Sequence, residues 1–393
     1  MGKYDFDKLV NRRGTDSYKW DVGEDELPMW VADMDYQTAP GIREALAARV
    51  AHGIFGYADV TDGWYEAYIS WWTKRHGFDM KKEWLIFATG VVPAISCLVR
   101  KLTTPAEKVV IQTPVYNIFF NSIVNNGRVP LESPLIVDEY GIRMDFEQLE
   151  ADLSDPQTTL MILCNPQNPG GKIWDADTLR KVADLCDKYG VRVISDEVHC
   201  DIVAPGKRYV PFASVSDTAA KISVTCMSPS KAFNVAGIHS AAVCVPDEIL
   251  RNKVWRGLNT DEVAEPNSFA TTVAIAAYTK SSQWLDELNG YIFDNKEYVD
   301  SYVKENIPSV KVIKGDATYL MWKDVRDICA DSVRLCEYIR QTTGLYISNG
   351  RQFGKAGEGF VRINVACPRE IVKLGMEKFK EAVILFNGTK GKC

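Results

Sequence analysis

The sequence holds no C-x-x-C pair and only four histidines, so ligand spacing of the zinc type is absent and no metal site is expected. Its ten cysteines stand singly, at 97, 164, 186, 200, 226, 244, 329, 336, 367 and 393. Cys164, Cys226 and Cys244 fall inside apolar runs, where a free thiol acts as a small buried hydrophobe, and this predicts a reducing compartment. No run approaches the length of a membrane span. The opening MGKYDFDKLVNRRG has no apolar stretch of a signal peptide, and Phe6 stands where a myristoylation motif requires Ser or Thr. A cytoplasmic protein without membrane contact is expected. An excess of basic residues is also missing: the net charge is −6, which offers no footprint for nucleic acid, and Lys81-Lys82 reads as a solvated face. No G-x-G-x-x-G follows a strand and opens a helix, which argues against a nicotinamide-linked oxidoreductase. Internal repeats, low-complexity tracts and linkers are absent.

What is present is the texture of an α/β protein. At 393 residues, 46% of them hydrophobic, the chain can bury a large core without disulfide or metal staples. Short β-rich runs alternate with helical patterns, the signature of βαβ units and a mainly parallel sheet sandwiched by helices. The candidate strands are 84–88, 108–112, 159–164, 191–196, 222–226 and 240–245. Leu179, Val182, Ala183 and Cys186 recur at helical spacing, with Gly190 as the stop. Trp64, Tyr68, Trp71 and Trp72 share that spacing and predict a helix with a bulky buried face. From about residue 290 the pattern becomes α+β, with helices at 291–306 and 331–342 and strands around 310–313, 318–322 and 360–365. The expected organisation is a large domain over 46–288, and a smaller one built from 289–393 together with the N-terminal segment 1–45.

In an open parallel sheet, ligands gather beyond the carboxyl ends of the strands. After the first candidate strand comes Thr89-Gly90-Val91-Val92-Pro93, a turn into a helix whose free N–H groups suit a phosphate. The next strand end carries Tyr116. The third is followed by Asn165-Pro166-Gln167-Asn168-Pro169-Gly170-Gly171, a stiff polar turn. The fourth ends on Asp196-Glu197-Val198-His199, where a buried carboxylate calls for a cation. The fifth runs into Ser228-Pro229-Ser230-Lys231, two hydroxyls and an amine. A phosphate cradle, a ring, an amide, an acid and a lysine thus converge on one edge. A lysine amine condenses with an aldehyde. An acid beside a pyridine nitrogen keeps it protonated, so that the ring can take up a carbanion's electrons.

At these residues the sequence resembles the fold-type-I enzymes of pyridoxal 5'-phosphate (PLP), the aspartate-aminotransferase-like superfamily. Within it the chain is most similar to the MalY/PatB branch of cystathionine β-lyases, the C–S lyases. The likeness runs over nearly the whole chain, through Trp30–Tyr36, Phe55-Gly56-Tyr57, Thr89–Ile95, Gln112–Tyr116, Ser230–Asn234, Val361–Asn364 and Cys367–Arg369. It implies a PLP-dependent transferase-like fold and makes Lys231 the Schiff-base lysine and proton shuttle. Asp196 becomes the partner of the pyridine nitrogen and Tyr116 the ring stacked on the cofactor, these three being the catalytic set. Asn168 would contact the phenolic oxygen, while Gly90, Val91, Ser228 and Ser230 would hold the phosphate. Tyr57 would reach the phosphate of a neighbouring subunit, which implies a homodimer with active sites at its interface. Arg362 would grip the α-carboxylate of an amino-acid substrate, with Asn168 and Tyr57 also lining the substrate site.

Two positions depart from the wider superfamily. His199 stands where many aminotransferases have tyrosine, and either touches the cofactor or packs. His239 stands where many relatives carry a phosphate-binding arginine. For Trp30–Tyr36, a pocket wall and a structural strand both remain open. The resemblance implies release of a thiol from an S-substituted L-cysteine such as cystathionine, with pyruvate and ammonia as the other products. The alternative is a class I/II aminotransferase, which shares the early steps; a binding or regulatory module on the same fold has no chemical need for Lys231, Asp196 and Arg362 together.

Overall fold

A computed structural model describes residues 2–138 and 141–388; Met1 and Cys393 lie outside the described residues. The large sheet has seven strands: β1 (Leu85–Ala88), β2 (Lys108–Ile111), β3 (Val129–Glu132), β4 (Thr158–Cys164), β5 (Arg192–Asp196), β6 (Ser223–Met227) and β7 (Ala241–Cys244). Their spatial order is β1-β7-β6-β5-β4-β2-β3, and only β7 runs antiparallel to its neighbours. The mainly parallel sheet expected from the alternating pattern is therefore present. Its strands are rich in Val, Ile and Leu because both faces are covered. Along β4, Leu160, Ile162 and Cys164 pack with the helix Val91–Leu102, whereas Met161 and Leu163 pack with the helix Ala176–Lys188 on the other side. That is the two-residue alternation of a strand.

All six expected strands exist, with ends displaced by a residue or two, while β3 was not anticipated. Its V-P-L-E sequence contains a proline and stays half open to solvent, as suits an edge strand but hides it from a pattern search. The predicted aromatic helix is Asp62–His76, with Trp64, Tyr68, Trp71 and Trp72 all buried. Helix Ala176–Lys188 starts at Asp175, whose side chain accepts from the Thr178 N–H, and the chain turns at Gly190 with φ 70°.

The C-terminal part adds an antiparallel sheet of β8 (Lys311–Ile313), β9 (Leu320–Asp324), β10 (Ser348–Asn349) and β11 (Phe360–Asn364), in the order β8-β9-β11-β10. The N-terminal segment joins it: Leu27–Pro28 pairs in parallel with Leu345–Tyr346. The helix expected at 291–306 begins earlier, at Ser282, and so runs through residue 288 without a break. Its first turns place Trp284, Leu285 and Leu288 in one core and its last turns place Val299, Tyr302 and Val303 in another. A shared helix replaces a linker, which explains why none could be read. No helix among the described residues is long and apolar enough to cross a membrane.

Candidate active site

The carboxyl ends of β1, β2, β4, β5 and β6 meet around one cavity of about 190 Å³. Gly90, Val91, Tyr116, Asn168, Asp196, His199, Ser228, Ser230 and Lys231 all line it, and so does His239. Residues scattered over some 140 positions of sequence are thus brought to one place by the parallel topology. Gly90 ends the turn after β1 and opens the helix Val91–Leu102, so the first N–H groups of that helix face the cavity region. The Asn165–Gly171 turn is closed by Gly171 N–H donating to the Gln167 carbonyl at 2.8 Å and is pinned from outside by Ala317 N–H on the Gly171 carbonyl at 2.9 Å. Gly315 belongs to that clasp; a Cβ there would fall 2.2 Å from the Gly170 oxygen.

Asp196 sits at the last position of β5, almost fully buried. Among the described residues its carboxylate accepts from one backbone N–H, that of Val198 at 3.2 Å. Burial pushes this carboxyl up to about 6, against the opposing pull of the Val198 N–H and of Lys231. The Lys231 amine donates to the Ala32 carbonyl at 2.8 Å. Burial lowers its pKa, and Arg362 pushes the same way against Asp33 and Asp196. His199 is buried with Nδ1 unpartnered, and burial followed by the charges of Lys231 and Arg362 brings it down to about 3. It is a neutral ring at working pH, edge-on to Tyr319.

Arg362, on β11 of the small sheet, is not among the residues that line the cavity and meets its wall through Asn168. Its guanidinium donates to Asn168 Oδ1 at 3.2 Å and to the Trp30 carbonyl at 2.7 Å, lies 4.8 Å from the Phe353 ring, and leaves Nε buried without a partner. A planar fork with an unspent donor beside the cavity can take a carboxylate.

Three further expected positions have distinct settings. Tyr57 is fully exposed and lies outside the cavity of its own chain. The Ser228 hydroxyl donates to the Ser240 carbonyl at 2.6 Å and accepts from the Ser230 N–H, so its proton is already committed within the loop. Residues 30–36 form no strand. Their backbone is instead held by side chains: Asn364 Nδ2 donates to the Val31 and Asp33 carbonyls, and Asn234 to those of Met34 and Tyr36. Ala32 lines the cavity, in keeping with the wall reading. Its carbonyl and the hydroxyl of Tyr319 were missed, because a backbone acceptor leaves no mark in a sequence and a tyrosine in Tyr319-Leu320-Met321-Trp322 reads as core.

The profile of the family described as Aminotransferase class I and II matches residues 26–379. Cystathionine beta-lyase PatB of Bacillus subtilis is 41% identical over 384 residues, covering 96% of this chain and 99% of that one. The chain belongs to the class I and II aminotransferase family, in its PatB/MalY branch of PLP-dependent cystathionine β-lyases. A second member of this branch, protein MalY of Escherichia coli, is 34% identical, with 97% of this chain and 99% of that one covered. Among solved structures, the PLP-bound C-S lyase of Staphylococcus hominis in complex with L-cycloserine superposes with a TM-score of 0.90 at 31% identity, covering 97% of this chain and 98% of that one.

Proposed function

We propose that this protein is a PLP-dependent carbon–sulfur lyase that cleaves L-cystathionine or related S-substituted L-cysteines to pyruvate, ammonia and a thiol, homocysteine in the case of cystathionine. The observation that carries this reading is the pairing of Lys231 and Asp196 across one buried cavity in a PatB/MalY chain. The residues fit PLP on their own terms. Asp196 is a buried carboxylate short of a counter-charge, which a protonated pyridine nitrogen supplies. The helix start at Gly90 and Val91 offers N–H groups to a phosphate. Bound there, PLP supplies an aldehyde for the substrate's amino group and a ring that absorbs the electron pair left at Cα.

Lys231 serves as the base at Cα. Its desolvated amine stays neutral more readily than a free lysine, and a neutral amine can accept the proton. The thiolate then departs from Cβ with its bonding pair, and the proton held by Lys231 is available to it. Release of aminoacrylate and its hydrolysis give pyruvate and ammonia. Arg362 would hold the α-carboxylate and fix the substrate's rotation, and Asn168, bonded to Arg362, would contact the cofactor's phenolic oxygen. Tyr116, half-buried at the cavity, would stack on the ring face. Neutral His199, lining the cavity with Nδ1 unpartnered, would offer the cofactor one hydrogen bond.

We assign residues 46–288 to a large cofactor domain and 1–45 with 289–393 to a small one, joined by the helix Ser282–Asn306. Tyr57 serves the phosphate site of a second copy in a homodimer; its full exposure, beside exposed Ile54 and Phe55 on an irregular segment, supports this. A cytoplasmic location is favoured by the eight free thiols buried among the described residues.

The deciding assay is multiple turnover of L-cystathionine or S-methyl-L-cysteine without an added keto acid, with thiol and pyruvate measured together. Steady thiol release is expected. Turnover that needs an amino acceptor and releases no thiol would make the protein an aminotransferase, the activity for which the wider family is named.

A further inference from the structure

Thr318 has a φ of 60°, although it is β-branched and fully buried. Such a residue in the left-handed region is an outlier that its surroundings must enforce. Here they do. The Thr318 N–H donates to the Ile202 carbonyl at 2.8 Å. Buried Lys296 donates to three successive acceptors around the bend, the carbonyls of Gly315 (2.9 Å), Ala317 (3.0 Å) and Thr318 (3.3 Å). The residue this bend aims is Tyr319, itself completely buried. Its hydroxyl donates to the Ala32 carbonyl at 2.8 Å, and the same oxygen receives the Lys231 amine, also at 2.8 Å. A carbonyl oxygen has two lone pairs, so both are spoken for.

We propose that Tyr319 is a positioning residue for the Lys231 base, fixing through the Ala32 carbonyl the direction in which the free amine presents its lone pair. The inference rests on the role given to Lys231 above. A neutral amine that donates one N–H to a fixed oxygen turns its lone pair away from that oxygen. Because Ala32 is itself part of the cavity wall, the position of its carbonyl sets where the lone pair points. Tyr319 also shares the oxygen's acceptor capacity. Without the hydroxyl, the oxygen serves the amine alone and favours the ammonium form. The charged and titratable groups around this amine are Asp33, Asp196, Arg362 and His199, and burial keeps the Tyr319 hydroxyl protonated throughout the working range.

The test compares Tyr319→Phe with the wild type, with Lys231→Ala as control. In the first assay, cofactor-free protein is mixed with PLP and the rate at which the coloured lysine linkage forms is followed against pH. In the second, thiol release from S-methyl-L-cysteine is compared with that from its Cα-deuterated form. Tyr319→Phe is expected to shift the pH midpoint of linkage formation upward. It should lower kcat about tenfold with KM nearly unchanged, as the loss of one orienting hydrogen bond implies, and enlarge the isotope effect. Wild-type midpoint and isotope effect in folded Tyr319→Phe, with Lys231→Ala inert, would overturn the proposal and leave the base assignment standing. A Lys231→Ala protein that still releases thiol would instead remove the base assignment. If Tyr319→Phe does not fold, Lys296→Met decides: it keeps the hydroxyl but removes the three donors that hold the bend, and is expected to shift both readouts the same way by less. Wild-type behaviour there counts against the proposal equally.

Discussion

Asp196 and Glu197 are adjacent, both acidic and both buried, yet they belong to different regions. Asp196 faces the cavity and receives one backbone N–H. Glu197 points to the packed side behind β5, where Ser195 Oγ donates at 2.7 Å, the Phe212 N–H at 2.9 Å, and the Tyr209 hydroxyl and Asn165 amide add further bonds. Burial lifts Asp196 to about 6 and Glu197 further, to about 8. The rear carboxyl is therefore a neutral, fully engaged packing group, and the front one is ionised at neutral pH and forms no ion pair among the described residues, with Lys231 acting on it only across the cavity. Burial alone does not mark a functional acid. Burial with unspent acceptor capacity facing a cavity does.

Substituting the two acids separates the regions most sharply. Asp196→Asn is expected to lower kcat by about one to two decades or more, from loss of a charge-assisted hydrogen bond to the ring nitrogen. The same change should stabilise the cofactor-free protein at neutral pH. The folded-state pKa lies above the unfolded one, so the unfolded chain releases this proton first. The burial cost is absent below about pH 4, grows as pH rises toward 6, and then levels at roughly 3 kcal/mol. Urea unfolding of cofactor-free wild type and variant at the two ends of that window measures the difference. Equal stabilities at neutral pH would show that Asp196 has a partner even without the cofactor.

Arg362→Lys keeps the charge and loses the planar fork. KM for amino-acid substrates should rise about tenfold or more while decarboxylated analogues bind as before. Equal losses for both would mark Arg362 as a clamp between Asn168 and Trp30 and nothing else. The smallest effect belongs to Glu197→Gln. The carboxyl is already uncharged below about pH 8, so kcat should stay within about threefold, and stability should fall by about 1–3 kcal/mol for the rearranged hydrogen bonds. A kcat loss matching that of Asp196→Asn would break the contrast between the two regions.

The parts of the site that could be read beforehand share a property: each is a group placed at the end of a strand or shortly after it. Lys231, Asp196, Asn168, Tyr116 and Gly90 were found because parallel strands release their ligand groups at one edge, and the hydrophobic runs that mark strands also mark that edge. What escaped notice depends on contacts across the chain. Lys231 bonds a carbonyl 199 positions away, and Arg362 bonds one 332 positions away. The β3 edge strand and the early start of the helix Ser282–Asn306 escaped for a local reason, since proline, solvent exposure and a double-sided apolar pattern blur the periodicity on which such readings depend.

The order of residue types along the chain thus determined the sheet, its covered faces and the identity of the reacting groups, because periodicity and strand-end chemistry are local properties. Tertiary structure alone decided which groups are spent. Ser228 and Ser230 look equivalent in sequence, yet the Ser228 hydroxyl donates to the Ser240 carbonyl, so its proton is used before any ligand arrives. Asp196 and Glu197 look equivalent too, and differ in which side of β5 supplies donors. Tyr319 bonds Ala32 from beside a strained residue that Lys296, on the helix Ser282–Asn306, holds in place. Hydrogen-bond capacity is exhausted by neighbours in space, and neighbours in space are what a single strand of sequence does not record.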